Sequence, residues 1–312
     1  MSEQKGIVLA FITAIVSGVS VFLNAFAIKG IDAALFTAMK NLGAAILIVG
    51  AIFAFKEREK LAKLTSTQWG WLALIGLIGG SVPFLMFFQG LSMISAVKGS
   101  FLFRLLFIFS TVFAFFMLKE KASRNVLIGA GIALVGNFLL LGKENLLSFG
   151  IGELLVLGAT VIWGFEYVLS KWVMNSKQIE ARFVGFGRMF FGTVFIFAYL
   201  AAVGKIDLIS AISTAQFEWV AITSAMLFLF ISSWYAALKY AKATTATAIL
   251  TLGGPITTAL NYIFLGKAPL LQDAIGLLLI TAGIVSIVGI AQITKLPNAL
   301  MQELKGATLW KE

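Results

Sequence analysis

Charged side chains within long apolar segments are the residues of this sequence best suited to binding chemistry. Arg104 stands inside "FLFRLLFIF" (101–109), and Lys40, Glu166 and Arg188 have similarly apolar neighbours. A charge inside a bilayer is costly and is usually retained for pairing, binding or transport. A guanidinium also holds a carboxylate or a phosphate through two parallel hydrogen bonds. With three cations and one carboxylate, this group of side chains favours a ligand that carries an anionic group.

The composition predicts that these segments lie in a membrane. Hydrophobic residues make up 60% of the chain and charged residues 12%, with a mean hydropathy of +0.99, whereas soluble domains contain about 25% charged residues. The chain has no Cys and no His, which removes thiolate chemistry, the usual metal ligand and the usual proton shuttle. We therefore predict no catalytic residue, no metal site and no cofactor. The net charge of +10 is assigned to a cytoplasmic membrane face rather than to nucleic-acid binding.

We predict an all-α integral membrane protein with ten transmembrane helices, because one span requires roughly 20 mostly apolar residues. The predicted spans are residues 6–28, 34–55, 70–91, 97–117, 124–142, 150–172, 182–203, 218–240, 243–264 and 272–294. Most of the 24 Lys and Arg residues lie beside span ends that are on the same side of the membrane as the N-terminus. Basic residues concentrate on the cytoplasmic side, so we expect a multi-pass protein of the cytoplasmic membrane with both termini in the cytoplasm.

The two halves of the chain resemble each other at a nearly constant shift, at which Gly129 corresponds to Gly276 and Lys40 to Arg188. Five spans is an odd number, so the second copy must enter the membrane from the opposite side. Inverted repeats of this kind are a recurring architecture of secondary transporters. The predicted domains are a first five-helix repeat (1–145), a second, inverted repeat (146–294) and a cytoplasmic tail (295–312).

Two segments carry a resemblance to a known family. "VIWGFEYVLSKW" (161–172) resembles the Trp-Gly signature that opens a repeat in EamA-type carriers of the drug/metabolite transporter superfamily. "TLGGPITTALNYIFLGKAPLLQDAIGLLLITAGI" (251–284) is similar to the end of such a repeat, where a Pro enters the fourth helix and a Gly-containing fifth helix follows a short turn. The resemblance covers nearly the whole chain and implies a ten-helix carrier. The family moves amino acids, metabolites, nucleotide derivatives and drugs, so the resemblance does not name a cargo.

The depth of each intramembrane charge follows from the helical rise. Lys40 and Arg104 lie about six or seven residues, or roughly 10 Å, from the outer face, while Glu166 and Arg188 share the inner level. We expect Arg104 and Lys40 to form the outer basic half of a cavity between the repeats. Alternatively, Lys40 extends to the outer interface, and Arg188 braces Glu166 in a structural pair. Either that pair is permanent, or Glu166 releases Arg188 and carries a proton.

Further candidates surround these charges, although each has a simpler interpretation in helix packing. Four aromatic residues suit the walls of a binding site for a ring-bearing compound: Trp163, Tyr167, Trp234 and Tyr235. Gln89 either hydrogen-bonds the substrate or joins two helices. Gly253, Gly254 and Pro255 are predicted to kink the ninth span, as a hinge or as a static bend.

The function predicted from the sequence is alternating-access transport of a small organic metabolite, either an amino acid or another anionic or zwitterionic compound. Alternatives are the export of a nucleotide derivative or drug by the same fold and, from other classes, a membrane enzyme, a channel or a receptor. We expect the lipid bilayer and the metabolite as partners, no nucleic acid, and a monomer or weak dimer. Coupling to protons is left open by the two interpretations of Glu166.

Overall fold

The computed structural model describes residues 3–141, 149–266 and 270–289, and every regular element within them is a helix. Nine helices of this described part are long and apolar enough to cross a membrane, and a tenth apolar helix is shorter. In chain order they are α1 (Glu3–Ala27), α2 (Ala33–Ala54), α3 (Ser66–Leu91), α4 (Val97–Leu118), α5 (Arg124–Leu139), α6 (Ile151–Ser176), α7 (Ala181–Ala202), α8 (Thr214–Tyr240), α9 (Ala243–Leu265) and α10 (Leu271–Val288). The predicted ten-helix all-α membrane fold is confirmed. The tail predicted at 295–312 and the domain boundaries near 145 and 294 lie outside the described residues.

The outer surface of the helix bundle is apolar, as a bilayer requires. Phe116, Ile263 and Leu278 are large apolar side chains that are mostly exposed. Polar and charged side chains such as Lys40 and Glu166 are instead buried between the helices. This arrangement places lipid around the bundle and leaves its interior for polar contacts.

The contacts between helices are symmetric with respect to the two repeats. Helix α1 packs on α8 as α6 packs on α3, and α1 packs on α9 as α6 packs on α4. Helix α2 packs on α8 as α7 packs on α3, while α2 packs on α7 and α5 on α10. Each contact recurs when every helix is replaced by its equivalent in the other repeat. Two inverted five-helix repeats related by a pseudo-twofold axis produce this pattern.

The third helix of each repeat begins with the same capping box, which explains why both start before their predicted residues. In α3, the Gln68 side chain accepts from the Thr65 N–H at 2.8 Å, and in α8 Gln216 accepts from the Ser213 N–H at 2.9 Å. Each hydroxyl accepts a bond from the backbone N–H of its glutamine at 3.3 Å. The Gln68 amide also donates to a carbonyl of the α6–α7 connection, and that of Gln216 to one of the α1–α2 connection. Each cap therefore also joins the two repeats.

The fifth helices, α5 and α10, pack against each other through glycines. A Cβ atom on Gly129 would lie 2.5 Å from the Gly283 carbonyl oxygen, and one on Gly136 would lie 2.5 Å from the Gly276 carbonyl oxygen. Both distances are too short for any side chain. Glycine at these equivalent positions therefore allows the two backbones to touch, as in other membrane helix pairs.

Candidate functional site

A cavity lies between the repeats and is lined by residues of α1, α2, α3, α4, α6, α7 and α8. Pockets that bind small molecules are mostly apolar, with a few polar groups. Here the charged lining residues are Lys40 and Arg188. The aromatic lining includes Phe84, Phe87, Phe88, Phe103, Trp163 and Tyr167. The cavity thus combines aromatic walls with two cations at equivalent positions of the two repeats.

Lys40 points into the bundle and not towards the interface. Its side chain is 2% exposed, and Nζ donates to Asn24 Oδ1 at 3.0 Å. The ammonium also lies over the rings of Phe88, at 4.6 Å, and Phe36, at 5.7 Å. Within the described part of the chain, Lys40 forms no ion pair with an acidic side chain. Its charge is held by one neutral acceptor and two aromatic faces, which is weak compensation for a buried cation.

Glu166 and Arg188 meet at the wall of the cavity formed by α6 and α7. Arg188 Nη1 lies 3.1 Å from Glu166 Oε2, and both side chains are almost fully buried. The Nη1–H does not align with that oxygen, so the contact is electrostatic and not a well-formed hydrogen bond. The other oxygen, Oε1, accepts bonds from the Tyr235 hydroxyl at 2.6 Å and from the Ser170 hydroxyl at 2.5 Å. Both oxygens of the carboxylate are therefore engaged within the protein.

A π-helical turn in α3, Gly76–Ser81, allows the polar network to pack closely. A Cβ atom on Gly79 would lie 2.6 Å from Glu166 Cδ, so only glycine leaves room for the carboxylate. The Gly79 carbonyl accepts a hydrogen bond from Trp163 Nε1 at 2.9 Å. Because π-turns leave carbonyls without helical partners, they often occur at functional sites. The equivalent part of α8 is a continuous α-helix, which makes this turn a specific feature of the first repeat.

The structure places Arg104 away from the cavity, and of the predicted basic pair only Lys40 is in the lining. Arg104 Nη1 donates to the Leu250 carbonyl of α9 at 2.8 Å. Nε and Nη2 have no hydrogen-bond partner among the described residues. A Cβ atom on Gly253 would lie 2.5 Å from Nη2, so the guanidinium packs directly on the α9 backbone. Arg104 joins the fourth helices of the two repeats, and the predicted half-site with Lys40 is not formed.

Both fourth helices are interrupted at equivalent positions. Helix α4 is interrupted at Leu105, and α9 contains a 3₁₀ turn at Leu250–Leu252 before the α-helix resumes. In α9, Pro255 has no N–H to bond the Thr251 carbonyl, and Asn137 Nδ2 lies 3.5 Å from that oxygen. The irregular turn of α9 therefore lies just before Gly253, Gly254 and Pro255, where the bend was predicted. The role of these three residues as a hinge stays a prediction. Helix α4 has no proline, so its interruption was not visible in the sequence.

The remaining predicted residues divide between the cavity and its surroundings. Trp163 and Tyr167 line the cavity, and Trp234 packs behind Tyr167 with ring centroids 4.6 Å apart. Tyr235 contributes through its bond to Glu166. Gln89 is exposed on α3 and lies outside the lining.

Several residues of the site were not singled out from the sequence. They are Ser17, Ser20, Phe84, Phe87, Phe88, Phe103, Ser170 and Gly79. The phenylalanines could not be distinguished among the 29 in the chain. Ser170 could have been predicted from the sequence, because it lies one helical turn after Glu166 and such neighbours meet on a helix surface.

Comparison with known proteins gives a consistent family relationship. A sequence model described as the EamA-like transporter family matches residues 4–142 and 150–289. An uncharacterized transporter of Clostridium kluyveri is 24% identical over 78% of this chain and 78% of its own length. The uncharacterized transporter YoaV of Bacillus subtilis is 26% identical over 76% of this chain and 83% of its own length. A solved crystal structure of a protein at 18% identity has a TM-score of 0.69 and covers 93% of this chain and 98% of its own, which shows a shared fold.

Proposed function

Because the chain belongs to the EamA-like transporter family, we propose that it is a secondary transporter for a small organic metabolite with a carboxylate group, either an amino acid or another anionic or zwitterionic compound. One observation carries the choice of an anionic group. Lys40 and Arg188 occupy equivalent positions in the repeats and line the same cavity, while Glu166 offsets only one of the two charges. The remaining positive charge complements a carboxylate.

Alternating access is supported by the inverted repeats. Asn24 near the end of α1 and Lys40 near the start of α2 belong to the cavity. The cavity therefore extends towards the end of the bundle where α1 joins α2. Arg188, at the equivalent position of the inverted second repeat, also lines the cavity and pairs with Glu166. Exchange of the two repeat conformations would close this end of the cavity and open the opposite one, which is how inverted-repeat carriers alternate.

We propose that the Glu166–Arg188 pair persists through the cycle and that the protein acts as a facilitator or exchanger. An unpaired Arg188 at this depth would be costly in either state, and the Tyr235 and Ser170 hydroxyls both donate to Glu166 Oε1 and hold the side chain in place. Under this proposal, transport in proteoliposomes does not respond to an imposed pH gradient. Concentrative uptake driven by such a gradient, and lost in folded Glu166→Gln, would instead assign proton coupling to Glu166.

The transport proposal is tested with purified protein in proteoliposomes that are preloaded with small carboxylates or amino acids. Counterflow of labelled substrate should occur with the protein and not in empty liposomes. Lys40→Gln should reduce counterflow at least about tenfold, the equivalent of one charge-assisted hydrogen bond. Lys29→Gln is a matched control because Lys29 also lies over a phenylalanine ring but is exposed. Selective counterflow of cationic amines, or the same rate for wild type and Lys40→Gln, would contradict the proposal.

The proposed orientation places both termini in the cytoplasm, from the distribution of Lys and Arg around the helix ends. Single cysteines introduced into this Cys-free chain test it with a membrane-impermeant thiol reagent. Asp207→Cys, in the exposed α7–α8 connection, should be labelled from outside intact cells, and Lys60→Cys, in the exposed α2–α3 connection, should not. The reverse labelling pattern would invert the orientation.

A further inference from the structure

Positive side chains lie on the lining of the cavity, but the described lining residues include no carboxylate that could pair with a positive charge on a ligand. Within the described residues, no Asp or Glu lines it. Glu166 contacts the lining residue Arg188, but it is fully buried. Its Oε1 is occupied by the Tyr235 and Ser170 hydroxyls, and its Oε2 faces Arg188. A ligand ammonium would therefore find no free carboxylate.

Two neutral oxygen acceptors on the lining already have donors within the protein. Asn24 Oδ1 accepts from Lys40 at 3.0 Å, and the Asn24 amide nitrogen in turn donates to Ser20 Oγ at 3.2 Å. A primary ammonium has three donors and needs several acceptors when it is removed from water. The amide oxygen on this wall already serves the cation of the protein, and the hydroxyls of the lining are neutral groups that supply no counter-charge for an ammonium.

Aromatic faces bind cations as well, but the protein's own cations occupy those nearest the charges. Lys40 Nζ lies 4.6 Å from the Phe88 ring centroid. Arg188 Cζ lies 5.2 Å from the Tyr167 centroid and 5.5 Å from that of Phe84. A ligand ammonium placed on these rings would lie beside a like charge. Cation–π binding is therefore used within the protein and is not offered to the ligand.

Another group of rings forms an apolar surface. Phe87, Phe103 and Trp163 pack around one another, with centroids 5.3 to 5.8 Å apart. All three line the cavity. No cation–π contact is found between these three rings and Lys40, and the guanidinium over Phe103 is that of Arg104, outside the lining. Such a surface suits an aromatic ring, which packs on edges and faces of other rings.

We propose that the cavity selects an aromatic monocarboxylate that lacks an ammonium group, in preference to the zwitterionic amino acid of the same skeleton. The carboxylate pairs with Lys40, which has an incomplete set of acceptors, and the ring packs against Phe87, Phe103 and Trp163. This inference rests on the proposed function, because it narrows the substrate class of the same cavity.

The test compares three compounds with the same phenylethyl skeleton: 3-phenylpropanoate, phenylalanine and 2-phenylethylamine. Affinity for the purified full-length protein is measured by isothermal titration calorimetry near neutral pH. We expect 3-phenylpropanoate to bind at least about tenfold more tightly than phenylalanine, since one uncompensated ammonium costs more than 1.4 kcal/mol. The amine should not bind. Lys40→Gln should weaken 3-phenylpropanoate binding at least about tenfold, whereas Lys40→Arg should retain most of it and Lys29→Gln all of it.

The outcomes separate this inference from the proposed function. If phenylalanine binds as tightly as 3-phenylpropanoate or more tightly, and Lys40→Gln weakens both, the selection against ammonium is wrong and anionic-group recognition stands. If the amine binds best, both proposals fail. If neither carboxylate binds, the preference for an aromatic monocarboxylate is wrong, and the proposed function is then decided by counterflow of non-aromatic carboxylates. If 3-phenylpropanoate binds equally well to wild type and Lys40→Gln, the carboxylate is not held where we place it. Circular dichroism of each variant establishes that it is folded.

Discussion

Removing the charge of Glu166 tests the buried network most directly. In the wild type, the Tyr235 and Ser170 hydroxyls donate to Glu166 Oε1. In Glu166→Gln, the amide oxygen can accept the same two bonds. The amide nitrogen would then face Arg188, whose Nη1 lies 3.1 Å from the present Oε2. The substitution thus preserves shape and hydroxyl contacts but leaves a buried guanidinium without its counter-charge. Breaking a buried pair in this way costs about 3–5 kcal/mol of unfolding free energy.

Two further variants divide this cost into its parts. Tyr235→Phe removes the hydroxyl that donates to the carboxylate at 2.6 Å and accepts from Arg188 Nη1 at 3.2 Å, and a hydrogen bond to a charged group contributes about 1.5–3 kcal/mol. The double variant Glu166→Gln/Arg188→Gln removes both charges, so it should be less destabilised than the sum of the single variants. Tyr199→Phe is the matched control: Tyr199 is exposed, and its loss should change the unfolding free energy by less than about 0.5 kcal/mol.

The assay is reversible unfolding in mixed micelles, followed by tryptophan fluorescence. The expected order of destabilisation is Glu166→Gln, then Tyr235→Phe, then Tyr199→Phe. If Glu166→Gln lies within about 1 kcal/mol of wild type, Glu166 does not carry the charge that this geometry assigns to it. Strict additivity in the double variant would mean that Glu166 and Arg188 do not interact, which would also refute the reasoning.

Three other predictions follow from different contacts. Arg104→Gln should remain folded but lose about tenfold in counterflow, the equivalent of one hydrogen bond, because Arg104 bonds the interrupted α9 backbone; unchanged counterflow would show that the contact is dispensable. Gly136→Val should lower the unfolding free energy by more than about 2 kcal/mol through steric overlap with α10, while Gly131→Val, with open space around it, should not; equal effects would contradict the packing. Burial raises the pKa of the Asp32 carboxyl, but Lys205 and two backbone N–H groups outweigh this effect and lower that pKa. Asp32 in turn raises the pKa of Lys205. The stabilisation by this ion pair is lost only as the pH falls through the lowered carboxyl pKa or rises through the raised ammonium pKa. Asp32→Asn, which keeps its helix cap, should therefore reduce the thermal midpoint by a constant small amount from about pH 5 to pH 9. A difference that vanished within that range would contradict this prediction.

The sequence alone determined the membrane architecture. The length of each apolar run specified ten helices, because a bilayer admits few alternatives to a helix of that length. The nearly constant shift between Gly129 and Gly276, and between Lys40 and Arg188, indicated the two repeats. Helical rise placed Glu166 and Arg188 at the same depth, and the structure brings them into contact.

The tertiary structure decided which way each charge faces. Depth follows from the rise per residue, but rotation about the helix axis is not encoded when a helix is apolar on all sides. Lys40 and Arg104 were predicted at one level, yet packing turns Lys40 into the cavity and Arg104 onto α9. The π-turn at Gly76–Ser81 and the interruption at Leu105 were also absent from the sequence pattern. At the π-turn, Trp163 of another helix bonds the Gly79 carbonyl and Glu166 packs on Gly79, and such long-range partners come together only when the bundle assembles.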